Sequence, residues 1–339
     1  MRQLKATRID SIIESYTEKG YFSGSVLIVK DERKLLYKSY GLLDSEKDIP
    51  VLPDARFCIA SITKLFTAVS IMILHERKLL NVNDSIDKYM DTIPKGDSIT
   101  IQHLLTHTSG IVNFTDAPEI LQIIQSTNTI ENLIGMFKDK ELEFEPGQQY
   151  RYSNSGYVLL AYIIEKASRQ SYTEFLNENI FKKLDMQNTG VANSTYDKEI
   201  GTMGYSLKET GSYRSEYMDM SIARGWADLY STVEDLYKWN MGLFQGKLIS
   251  SETLDRMLAC YIESEKTKVG YGFNCMGSKV FHGGWLLGFC SHYAYDRKNN
   301  VIIIVLSNND MASINNVVKA IEGVLFRRKY AAPMNFQPR

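Results

Sequence analysis

The sequence predicts an α/β protein of the α+β type, an antiparallel sheet flanked by helices, with a mainly helical region inserted into it. Three observations carry that reading. Strand patterns sit at both chain ends. Helical spacing dominates from Ser61 to about Leu176. The run Val301-Ile302-Ile303-Ile304-Val305-Leu306 is continuously apolar, as a strand covered on both faces must be.

The elements follow in chain order. Ile9 to Tyr16 has helical spacing. Gly24 to Lys30 and Lys34 to Tyr40 read as two strands, with Asp31-Glu32-Arg33 as their turn. From Ser61 to Leu74, residues Ile62, Leu65, Phe66, Val69, Met72 and Ile73 make a surface too wide for a half-exposed helix, so this helix is expected to be buried. Glu145-Pro146-Gly147 is a turn. Val158 to Ile164 repeats the buried-helix pattern. Strands return at Gly270 to Met276, Lys279 to His282, Gly288 to Asp296 and Val301 to Leu306, and Ile314 to Phe326 closes the chain as a helix. Short turns between neighbouring strands favour antiparallel pairing. The expected units are residues 1–75 with 222–339 as a discontinuous sheet domain and 76–221 as the helical one, with the active site between them. The basic, proline-containing tail from Arg327 to Arg339 reads as loosely held.

Bulk properties exclude several functions. The chain has 339 residues, 44% of them hydrophobic, and 39 Lys and Arg against 40 Asp and Glu, so no electrostatic footprint for nucleic acid exists. No apolar run is long enough to span a bilayer. The polar N-terminus lacks the apolar segment of a signal peptide. A cytoplasmic, reducing setting is the expectation, with export after removal of a leader as the alternative. Cys58, Cys260, Cys275 and Cys290 have neither metal spacing nor a Cys-x-x-Cys, and read as four buried thiols. No cofactor or metal is called for.

Three short segments carry chemistry. In Ser61-Ile62-Thr63-Lys64, the lysine lies one turn beyond the serine on the same helical face. A lysine at the start of a buried helix is costly without a partner or a task. Desolvation and the positive helix terminus both lower its pKa, and a neutral amine can accept the serine proton. The same terminus aims N–H groups at an oxyanion near Ser61. An N-cap serine with a snorkelling lysine is the plain alternative. A Ser-x-x-Lys arises roughly once by chance at this length, and the second one here, Ser85 to Lys88, reads as a cap or turn.

Tyr152-Ser153-Asn154 follows the Pro-Gly turn. A tyrosine beside an ammonium ionises more easily, so Tyr152 and Lys64 can share the base role. Asn154 offers an amide that both donates and accepts. The plain reading is a capped helix start. His282-Gly283-Gly284-Trp285 lies at a strand edge, where paired glycines admit a ligand backbone, and His282 can bind a carboxylate or relay a proton; a strand-end turn is the plain reading. The three occur in one order and each in a fitting local context. Together they specify a metal-free serine acyl-transfer site.

These residues resemble the serine β-lactamase and penicillin-binding superfamily, in its class C-like branch of β-lactamases, DD-peptidase, D-aminopeptidases and carboxylesterases. Phe57-Cys58-Ile59-Ala60-Ser61, Leu104 to Gly110, Phe144 to Gly147 and Ser231 to Leu236 are also similar to family segments. The resemblance covers most of the chain. It implies Ser61 as the acylated nucleophile, Lys64 as its proton partner, Tyr152 as general base or acid, and Asn154 as the residue orienting a substrate amide. It implies backbone N–H groups of Ser61 and Trp285 as the oxyanion hole, with Gly283 and Gly284 on the substrate-binding strand. His282 stands where many members carry a lysine, and glycine replaces the usual threonine after it. Both departures argue for weak β-lactam turnover and toward an ester, D-amino-acid peptide or related acyl substrate. A penicillin-binding sensor or scaffold with little turnover is the alternative function. The segment around His107 reads as structural. No macromolecular partner is expected, and the oligomeric state is open.

Overall fold

The computed structural model describes residues 2–90, 93–193, 201–208, 211–263 and 268–330. An eight-stranded antiparallel sheet organises the chain. Its strands are β1 (Gly24–Lys30), β2 (Arg33–Tyr40), β3 (Ile262–Glu263), β4 (Lys268–Val269), β5 (Asn274–Met276), β6 (Lys279–Leu286), β7 (Phe289–Asp296) and β8 (Val301–Ser307). The spatial order is β3-β4-β5-β6-β7-β8-β1-β2. Strands from both chain ends therefore pair with each other toward one edge of the sheet, where β1 lies beside β8 from Gly24–Ser307 to Lys30–Val301.

The alternation of β8 explains its unbroken apolar run. Val301, Ile303 and Val305 pack with Ile9, Ile13, Val317 and Ile321 of the helices α1 (Arg2–Glu18) and α5 (Ile314–Phe326). Ile302, Ile304 and Leu306 face the larger core, with α2 (Thr63–Glu76), α3 (Asn154–Ser168) and α4 (Val233–Phe244). Period-two geometry assigns alternate residues to opposite layers, and here both layers are helical. The helix α2 is buried along its length from Thr63 to Leu74, as its wide apolar surface predicts.

Several elements differ from expectation. Ser61 does not open the α-helix; it lies in a 3₁₀ turn, Ala60–Ile62, ahead of α2. Residues 270–273 are irregular rather than strand: Gly272 has φ +76°, and a Cβ there would lie 2.9 Å from Ala68 Cβ. Close packing against α2 thus shortens β5. The helical stretch before α3 is broken into short pieces such as Ile101–Leu105, Ile120–Ile123 and Ile130–Gly135. Short strands also occur where helix was expected, at Gly190–Val191 and in a hairpin of Tyr205–Lys208 with Gly211–Arg214. Cys260 is exposed, while Cys58, Cys275 and Cys290 are buried. Ser85 precedes a single 3₁₀ turn and bonds Asp87, the plain reading of the second Ser-x-x-Lys. The tail is docked as far as Tyr330, whose hydroxyl accepts from Arg8 Nε at 3.0 Å; residues 331–339 lie outside the described residues. Among the described residues, no helix is long and apolar enough to cross a membrane.

One packing constraint places the site. The strand β5 pairs with β6 only from Lys279 to Phe281, so among the described residues no strand flanks β6 on that side from His282 onward. There it packs on the Ala60–Ile62 turn instead: a Cβ on Gly284 would lie 2.6 Å from the Ile59 carbonyl oxygen and 2.9 Å from Ala60 Cβ. Ser291 Oγ on β7 donates to that carbonyl at 2.7 Å. Ala60 takes φ +48°, a conformation a non-glycine residue holds only when its surroundings enforce it. Gly284→Ala should therefore push β6 from the turn. We expect a loss of about 1–3 kcal/mol of stability from overpacking, read as a lowered urea midpoint.

Candidate active site

Ser61 Oγ is the meeting point of two side chains from separate elements. Lys64 Nζ lies 3.2 Å from it, and the Tyr152 hydroxyl donates to it at 3.0 Å. The 3₁₀ turn running into α2 brings Lys64 over Ser61. Tyr152 arrives from the loop that leads into α3.

Lys64 is fully buried. Its ammonium hydrogen donates to the Trp226 carbonyl at 3.0 Å, and its Nζ lies 4.8 Å from the Tyr152 ring centroid and 5.4 Å from those of Tyr157 and Trp226. Aromatic faces favour a cation, by about 2 kcal/mol at best when desolvated. Burial opposes it more strongly and holds the amine well below the ordinary lysine range. No ion pair with a carboxylate among the described residues offsets that loss. The site thus favours the neutral amine, which has a lone pair for the Ser61 proton.

Tyr152 behaves differently from the expectation that a neighbouring lysine eases its ionisation. Burial raises its pKa, against a smaller opposing effect of the Ser61 hydrogen bond. A lysine that burial has neutralised offers little charge to a phenolate. Tyr152 is therefore a neutral phenol at pH 7, suited to hold and pass on a proton.

Asn154 is pinned from two sides. Its backbone N–H donates to Asn113 Oδ1 at 2.9 Å, and its Nδ2 donates to Thr115 Oγ1 at 3.0 Å. Its Oδ1 is buried and has no hydrogen-bond partner among the described residues. With its donor side engaged, the amide presents an acceptor to whatever enters. Ser153 occupies the N-cap position of α3 but makes no capping bond with its side chain.

A cavity of about 460 Å³ opens at Ser61, Tyr152 and Asn154. Trp285 also lines it, and its indole N–H donates to the Asp310 carbonyl at 2.9 Å. Gly283 and Gly284 do not line it; they face a neighbouring groove that shares Trp285. His282 does not line it either. It is buried beside a small cavity behind Tyr152, together with His107. Its Nδ1 lies 2.6 Å from the Gly283 carbonyl, which fixes the proton there. Burial pushes its pKa down to about 4, so at pH 7 it is no cation for a carboxylate.

Sequence reasoning missed one contributor. The Trp226 carbonyl that holds Lys64 is a backbone group and leaves no residue-type signal. His107, whose segment reads as structural in the sequence, has a structural role here. Its carbonyl accepts from Arg151 N–H at 2.9 Å, and its Nδ1 accepts from Ser153 N–H at 3.2 Å. These two donors flank Tyr152, whose ring packs on the imidazole with centroids 4.4 Å apart. His107 itself has φ +58°, and Tyr157 lies against it at 5.1 Å. The histidine thus clamps the backbone on both sides of Tyr152 without reaching Ser61.

The chain is similar to known proteins over nearly its whole length. The beta-lactamase family profile matches residues 9–313. A penicillin-binding protein of Bacillus subtilis (strain 168) is 27% identical, over 98% of this chain and 79% of its own. The crystal structure of a penicillin binding protein from Bacillus halodurans superposes with a TM-score of 0.84 at 26% identity, covering 93% of this chain and 98% of that one. D-amino acid amidase from Ochrobactrum anthropi SV3, complexed with D-phenylalanine, shares the fold with a TM-score of 0.85 at 24% identity, covering 95% and 99%.

Two predictions follow from this geometry. His107→Ala should lower kcat about 10- to 100-fold through misplacement of Tyr152, while His107→Asn, which tolerates positive φ and keeps an acceptor, restores part of it. In a Tyr152→Phe background the His107→Ala loss should shrink to a few-fold; equal losses in both backgrounds would show that His107 does not act through Tyr152. The second concerns acid. A histidine whose folded pKa lies below its ordinary 6.5 takes up a proton on unfolding. Its stabilisation is present above pH 6.5 and is lost as the pH falls toward the folded value. His282 is pushed down to about 4 and His292 to about 3, chiefly by burial. Asp228, pushed up to about 6 by burial, works the other way and gains as the pH falls through 6. Each histidine loses about 2 kcal/mol by pH 5, against roughly 1 regained at Asp228. The urea midpoint should fall between pH 7.5 and pH 5, and less so in His282→Asn.

Proposed function

The chain belongs to the beta-lactamase family, a family of serine hydrolases, and from that premise we propose that it cleaves acyl donors through an acyl-enzyme on Ser61. One observation carries the reading: Ser61 Oγ stands at 3.2 Å from Lys64 Nζ and 3.0 Å from the Tyr152 hydroxyl, at the floor of an open cavity. Lys64 takes the Ser61 proton as Oγ forms a bond to the acyl carbon. The oxyanion is received by the backbone N–H groups of Ser61 and Trp285. The tetrahedral intermediate collapses, the bond to the leaving group breaks, and Tyr152 supplies the proton that lets it depart. Tyr152 regains its proton from the Lys64 ammonium. Water then attacks the acyl-enzyme by the reverse proton route, releasing the acid and Ser61. The unpartnered Asn154 Oδ1 accepts from a donor near the acyl group and orients it.

We also read the chain as two units, 1–75 with 222–339 and 76–221, with this cavity at their junction. Ser61, Trp226 and Trp285 line it from the first, and Thr115, Tyr152, Asn154 and Met218 from the second.

The leaning toward esters over β-lactams rests on His282. Neutral and walled off behind Tyr152, it gives a substrate carboxylate nothing to pair with. Exposure to a p-nitrophenyl ester should add one acyl mass to the intact protein, and the adduct should vanish in Ser61→Ala. Short esters should turn over faster than a D-Ala-D-Ala peptide or a chromogenic cephalosporin. Full activity in Ser61→Ala overturns the acyl-enzyme. A long-lived adduct without turnover would instead mark a penicillin-binding sensor, and a cephalosporin rate above the ester rate reverses the substrate order.

A further inference from the structure

We infer that the natural acyl group is an uncharged aliphatic or aromatic chain, without carboxylate or ammonium, seated between the Ile120–Ile123 helix and the Trp226 side of the cavity; this rests on the acyl-enzyme reading above. The cavity walls carry the argument. Beyond Ser61, Tyr152, Asn154 and Thr115 they are apolar throughout, from Ile120, Leu121 and Ile124 to Trp226, Trp285 and Leu287. None of these lining residues is an acid, a lysine, an arginine or a histidine. Lys64 lies fully buried beneath the floor and is engaged by Ser61 and Trp226. A charged substrate group would be stripped of water there with no opposite charge to meet it. The small neighbouring cavity that shares Leu287 holds both Arg214 and Glu216, so it presents no net cation.

The polar groups are concentrated at the reacting end. Ser61 and Tyr152 deliver the chemistry, and the Asn154 acceptor stands beside them. Everything farther out is hydrocarbon or aromatic face. Leu121 and Trp285, far apart in the sequence, are 74% and 57% exposed while lining the same cavity. Such large apolar side chains stay solvent-facing at a cost that an apolar ligand relieves. A chain entering past them covers both residues and continues onto Ile120, Ile124 and Ile222. Selectivity then arises from burial of methylenes, each worth roughly a three- to fourfold gain in kcat/KM when fully enclosed.

The test is a p-nitrophenyl ester series from acetate upward through even-numbered chains, with a matched ester whose acyl chain ends in a carboxylate. Expected is a kcat/KM that climbs several-fold per added methylene, then levels once the chain outgrows the cavity, with the acid-ended analogue at least 100-fold poorer than its neutral counterpart. Ile124→Ala and Leu121→Ser should each flatten the climb. A flat or falling series, or an acid-ended ester cleaved as fast as the neutral one, overturns the inference. Running the series on Ser61→Ala separates the two claims. Hydrolysis that persists there defeats the acyl-enzyme itself. Hydrolysis that needs Ser61 but ignores chain length defeats only the substrate class.

Discussion

A lysine amine sealed into the protein beside a serine hydroxyl is the constraint on which the site depends. Lys64 has no exposure and no carboxylate partner among the described residues, and aromatic faces with one backbone carbonyl surround it. Water would solvate the ammonium and leave a poor base. Keeping it dry requires α2 to be buried on all sides, Tyr157 to stand over the amine, and the Trp226 turn to close from above. Much of the core is therefore arranged around one side chain whose burial carries a large stability cost.

The second requirement is close approach of two backbones. The 3₁₀ turn carrying Ser61 sits against β6 at a distance that only Gly284 permits, and Ala60 is held at positive φ to make the turn. Sheet and turn define one wall of the cavity, and the His107 clamp sets the Tyr152 wall opposite. Rigid backbone contacts keep the amine and the phenol each within hydrogen-bond reach of the Ser61 hydroxyl.

Much of this was legible in the residues, for identifiable reasons. The unbroken apolar run at Val301–Leu306 and the exceptional greasiness of Ser61–Leu74 announced a doubly covered strand and a buried helix, since both patterns answer directly to burial. Lys64 stood out as a charged residue at the start of an apolar helix, and Ser61 and Tyr152 as members of short motifs in one order along the chain. His282 misled, because a histidine beside paired glycines reads as a ligand contact, whereas its side chain points to the small cavity behind Tyr152. The cavity walls were silent: Ile120, Ile124, Met218 and Ile222 carry the same pattern as core residues, and nothing in a one-dimensional pattern separates apolar groups facing a ligand from those facing each other.

The sequence by itself determined the architecture class, the burial of the helix that follows Ser61 and the inventory of candidate groups, because hydrophobic periodicity and local chain geometry act over a few residues. Only the tertiary structure decided the protonation states, the tautomers and the shape of the substrate space. Those depend on desolvation and on groups far apart in the chain. Burial overrode the local expectation for Tyr152, a carbonyl at 226 holds the amine at 64, and residues near 120 and 285 meet across one opening.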